Sequence, residues 1–126
     1  MRENNYIRSF IEKRNEIRLS GKQIPDYCRV FPIVLLNERE IYVELLNFSI
    51  NGISFITHYH QDYFTIGKEI ASYALNCGHP VFGKVIYTKK HNKMIQVGIR
   101  YNHGRAYEDY RKIFNTLYEE ISKKND

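Results

Sequence analysis

The sequence predicts a mainly β, antiparallel chain, folded as a barrel or a sandwich and flanked by a helix at each end. Three observations predict it. Aromatic and β-branched residues concentrate between Val30 and Tyr101, whereas Lys, Arg, Glu and Asn crowd both ends; pleated, half-buried strands favour the first group. Within that centre, six short apolar runs alternate with turn-forming residues, the spacing of antiparallel barrels and sandwiches. From Arg105 to Lys124 the period changes. Tyr107, Tyr110, Phe114, Leu117, Tyr118 and Ile121 recur there at helical spacing and define one apolar face.

From Arg2 to Leu19, Ile7, Phe10, Ile11 and Ile17 recur among charged neighbours and predict a short amphipathic helix. Ser20 to Asp26 contains Gly21 and Pro25 and reads as a connector. The first strand is expected from Val30 to Leu36, on or near an edge, because Pro32 lacks a backbone donor. Asn37 to Glu40 makes a turn and Ile41 to Leu46 a second strand. The polar step from Asn47 to Gly52 leads into a third, Ile53 to Thr57. Lys68 to Leu75, Phe82 to Thr88 and Met94 to Tyr101 complete the six, with a turn at Lys89 to Asn92. Lysines at the end of the last helix suit its dipole.

A chain of 126 residues has room for one core of ordinary size. A single domain is expected, with residues 1–21 as an N-terminal helix or arm, 22–104 as the β unit and 105–124 as the C-terminal helix. The hydrophobic fraction of 43% excludes a disordered chain. No stretch approaches the roughly 18 to 20 apolar residues that span a bilayer, so membrane insertion is not expected and a cytoplasmic location is. In that reducing compartment Cys28 and Cys77 are expected as free thiols. The formal charge of +5 favours an anionic partner without naming it.

The segment Asn47-Phe48-Ser49-Ile50-Asn51-Gly52 carries the functional signal. Asn47 and Ser49, two apart on extended backbone, point the same way, and Gly52 permits the positive φ that a tight connection demands. The pattern resembles the second signature of PilZ domains: Asn or Asp, any residue, Ser, any two residues, Gly, followed by an apolar strand, here Ile53 to Ile56. The Phe82-Gly-Lys-Val-Ile-Tyr and Val97-Gly-Ile-Arg-Tyr segments are similar to the later strands of that family. The likeness spans about Arg29 to Tyr101.

That resemblance implies a six-stranded antiparallel β-barrel with a C-terminal helix. It also implies a bacterial receptor or adaptor in cyclic-di-GMP signalling. The first signature of the family is two arginines separated by three residues, just before the first strand, and two candidates stand here. Arg29 has the usual place, but Pro25 stands where its companion belongs. Arg14 and Arg18 have the right spacing but lie far upstream. A planar guanidinium can grip a phosphate with two parallel hydrogen bonds or stack on a guanine. The implied ligand set is therefore Arg14, Arg18, Arg29, Asn47, Ser49 and Gly52, with cyclic-di-GMP as ligand and no cofactor. An unidentified effector protein is the expected partner, and homodimerisation is left open. The expected mechanism is closure of the arginine-bearing N-terminal segment over the nucleotide, in regulation of motility or biofilm formation.

The sequence admits other readings. A degenerate PilZ adaptor acting through protein contacts alone would account for the irregular arginines. A basic β-barrel holding single-stranded nucleic acid would use its tyrosines as stacking faces, but several of the 11 tyrosines fall on the apolar helix face. His58, His60, Asp62, Cys77 and His79 match no zinc spacing. The chain offers no nucleophile elbow, no buried carboxylate pair and no glycine-rich phosphate loop, so it is not expected to be an enzyme.

Overall fold

The computed structural model describes residues 17–35, 39–58 and 63–124. Strand β1 is Arg18–Ser20, followed by a 3-10 turn at Gly21–Gln23 and a single helical turn, α1, at Asp26–Arg29. Strands β2 (Val30–Val34), β3 (Glu40–Ser49), β4 (Gly52–Thr57), β5 (Glu69–Ser72), β6 (Val81–His91) and β7 (Met94–Tyr101) follow, and helix α2 is Arg105–Lys124. Every pairing is antiparallel. The order β3-β2-β5-β6-β7-β4 returns to β3, so six strands close a barrel.

Closure leaves one end of β3 to be covered separately. Its first half, Glu40 to Glu44, pairs with β2, and Asn47 to Ser49 pairs with β1 on the same edge. β1 and β2 are thus collinear pieces of one broken strand, with residues 21–29 looping out between them. The loop is tied locally. Ser20 Oγ accepts from the Lys22 amide while Gln23 Oε1 accepts from the Ser20 amide at 2.7 Å, a reciprocal capping box.

The core follows from strand alternation. Ile41, Val43 and Leu45 of β3, Ile53 and Phe55 of β4, Val81 and Val85 of β6, and Ile95, Val97 and Ile99 of β7 point inward and are buried. Helix α2 lays Tyr107, Tyr110 and Phe114 across the barrel. Phe114 meets Phe48 edge-on at 5.8 Å and Tyr110 meets Tyr101 at 4.7 Å, geometries that suit the ring quadrupoles.

Several expectations are corrected. The N-terminal helix lies outside the described residues as far as residue 16, but Arg18 to Leu19 is strand, because Leu19 pairs with Phe48 of β3 and its side chain is buried in the core. The edge placement of Pro32 does not hold, since β2 lies between β3 and β5; β5 reaches only Ile33 and Val34, so Pro32 precedes the doubly paired part. β3 continues through the expected polar step to Ser49. β5 stops at Ser72, where the serine hydroxyl accepts from the Ala74 amide and draws the chain into a 3-10 turn. β6 runs on to His91, and the turn is Asn92-Lys93, with Asn92 at φ 56°, a conformation asparagine tolerates well.

Candidate functional site

The two-residue turn Ile50-Asn51 between β3 and β4 is fixed from three sides. Ser49 Oγ accepts from the Asn51 amide at 3.3 Å. Tyr110 Oη donates to the Ser49 carbonyl at 2.6 Å and Tyr107 Oη donates to the Ile50 carbonyl at 2.8 Å. The C-terminal helix therefore holds the backbone of the Asn47 to Gly52 motif. His103 stacks on Tyr107 at 4.1 Å and fixes that ring in turn.

Gly52 is required for a reason other than the one expected. Its φ is not positive. A β-carbon there would run into the carbonyl oxygen of Ile99 and lie 3.2 Å from the Arg100 Cα. Glycine at this position lets β7 approach β4 closely, and that approach shapes the outer surface.

Outside the barrel the same strands form a shallow trough. Registers align Asn47 with Ser54, Ser54 with Gly98 and Gly98 with Tyr87, one row across β3, β4, β7 and β6. Ser54 Oγ donates to Asn47 Oδ1 at 2.7 Å, so the amide nitrogen of Asn47 is the group it presents as a donor. Arg18 stands opposite Ser49 on one side, and Arg100 stands opposite Gly52 on the other. All of these residues line the trough. Its floor is the small residues Gly52, Ser54 and Gly98.

Charge separates this trough from other surface hollows. Its described lining has two arginines and no carboxylate, whereas one hollow beside β2 contains Glu44 and another beside β5 contains Glu69. A phosphate would meet attraction in the first and repulsion in the other two.

The expected site residues are thus distributed as follows. Arg18, Asn47, Ser49 and Gly52 come together at the trough. Ser49 is buried, and its hydroxyl works within the turn as well as bordering the site. Arg29 is placed elsewhere: its Nε donates to the Gly21 carbonyl at 3.1 Å and its guanidinium pairs with Asp26 at 2.8 Å, which braces the looped-out segment. Arg14 lies outside the described residues. Arg100 and Tyr87 were missed as trough residues. Their only sequence signal is an outward position on strands remote from the motif.

Cys77 is a buried free thiol, and Cys28 is half-buried. Burial, and secondarily the charge of Asp109, pushes the Cys77 thiol up to about 11. His60 and Asp62 lie outside the described residues. Among the described residues no cluster of three or more His, Cys, Asp or Glu is placed to hold a metal ion, and no helix is long and apolar enough to cross a membrane.

No family model matches the sequence, and no curated protein does. Solved structures do match in fold. The PilZ domain with c-di-GMP of YcgR from Escherichia coli superposes with a TM-score of 0.63 at 15% identity, over 89% of this chain and 96% of that one. The K. pneumonia MrkH-c-di-GMP complex gives 0.67 at 11% identity, over 87% of this chain and 54% of that one. The Bacillus subtilis inhibitor of motility, MotI/DgrA, gives 0.61 at 13% identity, over 89% and 53% respectively. The chain thus spans nearly all of the isolated YcgR domain and about half the length of the other two. A closed six-stranded barrel, a helix laid across it and these superpositions together establish that the fold of this chain is PilZ-like.

Proposed function

We propose that this chain is a cyclic-di-GMP receptor whose ligand lies in the trough above Gly52, Ser54 and Gly98. The supporting observation is the pairing of Arg18 with Ser49. It supports reading Arg18 as part of the arginine signature, because it sets that residue beside the Asn47 to Gly52 motif. Arg18 opens strand β1, and residues 21–29, between that strand and β2, loop out. Arg18 and Arg14 are the clamp in this reading, and Arg29 is a brace. Asn47 offers amide donors to a guanine edge, and the turn held by Tyr107 and Tyr110 keeps it in register. The similar YcgR domain and MrkH are complexes with c-di-GMP, which supports the same ligand here.

In this reading the protein acts in the cytoplasm without chemistry of its own. Ligand draws the arginine-bearing segment before β1 onto the trough, and an effector protein reads the altered surface. Only a difference in affinity between the two arrangements can drive such a shift. The similarity to an inhibitor of motility suggests the kind of process under control.

Titration calorimetry with cyclic-di-GMP tests the proposal. Saturable binding that is weakened in Arg18→Ala supports it, and absence of heat at high micromolar ligand overturns it. One observation favours the ligand-free adaptor as second reading: the Ser49 hydroxyl is engaged in building the turn, so the motif has a structural use even without nucleotide. An adaptor gives no heat with the wild type and is indifferent to Arg18→Ala.

A further inference from the structure

The row that begins at Asn47 ends at Tyr87, three strand spacings away, or about 14 Å. A single base held at Asn47 cannot touch both ends. The far end has its own construction. A β-carbon at Gly98 would collide with three atoms of the Tyr87 ring, so the ring lies against the glycine on the outer face of the barrel. The glycine is what permits that pose.

The ring is also oriented. Gln96 Nε2 donates to Tyr87 Oη at 3.0 Å, and His91 Nε2 donates to Gln96 Oε1 at 3.0 Å. A β-bulge between Val85 and Tyr87 shifts the register of β6 and brings Ile86 and Tyr87 to the same trough. Tyr87 is half-buried and Ile86 exposed. Arg100, two residues beyond Gly98 on the same face of β7, stands about 6.6 Å along the strand. A flat aromatic face, an apolar neighbour and a guanidinium at that separation suit the base and the phosphate of one nucleotide unit.

We infer that Tyr87, lying against Gly98, is a stacking platform for a purine base of the ligand, with Arg100 taking the adjacent phosphate. The inference rests on the receptor reading and deepens it by assigning the end of the site remote from Arg18 and Asn47. An aromatic ring stacks on a nucleobase without hydrogen-bond readout, so phenylalanine serves in place of tyrosine and leucine does not.

The test compares wild type, Arg18→Ala, Tyr87→Phe and Tyr87→Leu by calorimetry with cyclic-di-GMP, with urea unfolding to confirm that each variant folds. Tyr87→Leu is expected to weaken binding by about tenfold or more and Tyr87→Phe to leave it within about twofold. Upfield movement of the Tyr87 ring protons on ligand addition is the direct signature of stacking. Binding that is lost in Arg18→Ala but unchanged in Tyr87→Leu, with no ring shift, leaves the receptor reading intact and overturns the platform. No binding by wild type overturns both.

Discussion

Tyr110 donates its phenolic hydrogen to the carbonyl of Ser49 at 2.6 Å from a residue position that is fully buried. The bond crosses from the C-terminal helix to the motif that borders the trough. A helix remote in sequence therefore sets the geometry of the turn.

Replacing that hydroxyl separates packing from hydrogen bonding. Tyr110→Phe keeps the ring against Tyr101 but leaves the Ser49 carbonyl without this donor, and is expected to cost about 1–3 kcal/mol of stability. Urea unfolding measures it. Affinity for cyclic-di-GMP should fall as well, since the turn loses one of its ties; unchanged stability and affinity would mean that Tyr107 and Ser49 suffice.

The two described arginines of the expected set should behave differently. Arg18→Ala removes a cation from the trough and is expected to lose about 1.5–3 kcal/mol of ligand affinity, the range for hydrogen bonds to charged groups. Arg29→Ala removes a bond to the Gly21 carbonyl and a pair with the exposed Asp26. It should leave affinity unchanged and lower stability slightly, because exposed ion pairs contribute little. Equal loss of affinity in both variants would contradict the assignment of Arg29 as a brace.

Gly52→Ala is predicted to destabilise the barrel and not simply the ligand complex. The added carbon meets a main-chain oxygen of Ile99, which cannot swing aside as a side chain can. Separation of β4 from β7 should cost about 1–3 kcal/mol, the range for overpacking. Denaturation without ligand is the measurement, and a variant as stable as wild type would show that the strands yield freely.

Alkaline pH should destabilise the fold. Cys77 has an ordinary value of 9.0 and is pushed up to about 11 by burial, so between these limits the native state holds a proton that the unfolded chain releases. Stability from this group is full below pH 9.0 and falls as pH rises towards 11. The buried Tyr101 phenol, raised chiefly by burial, adds to the decline above its ordinary value of 10.0. Thermal unfolding from pH 8 upward follows the effect, and Cys77→Ala should flatten the first part of the slope.

The six barrel strands, the C-terminal helix and the Asn47 to Gly52 motif were legible in the sequence, because side-chain periodicity and turn residues report local structure. The sequence could not place β1. Arg18 to Ser20 is a strand only because β3 extends past β2 and leaves Asn47 to Ser49 unpaired on one edge, a condition set by distant residues. The same limit applied to Arg18 against Arg29, to the true constraint on Gly52, and to Tyr87, which joins Asn47 in one row through two intervening strands. Local pattern fixes which way a side chain points within its own strand. Only closure of the barrel, by choosing strand neighbours and register, decided which outward residues share a surface.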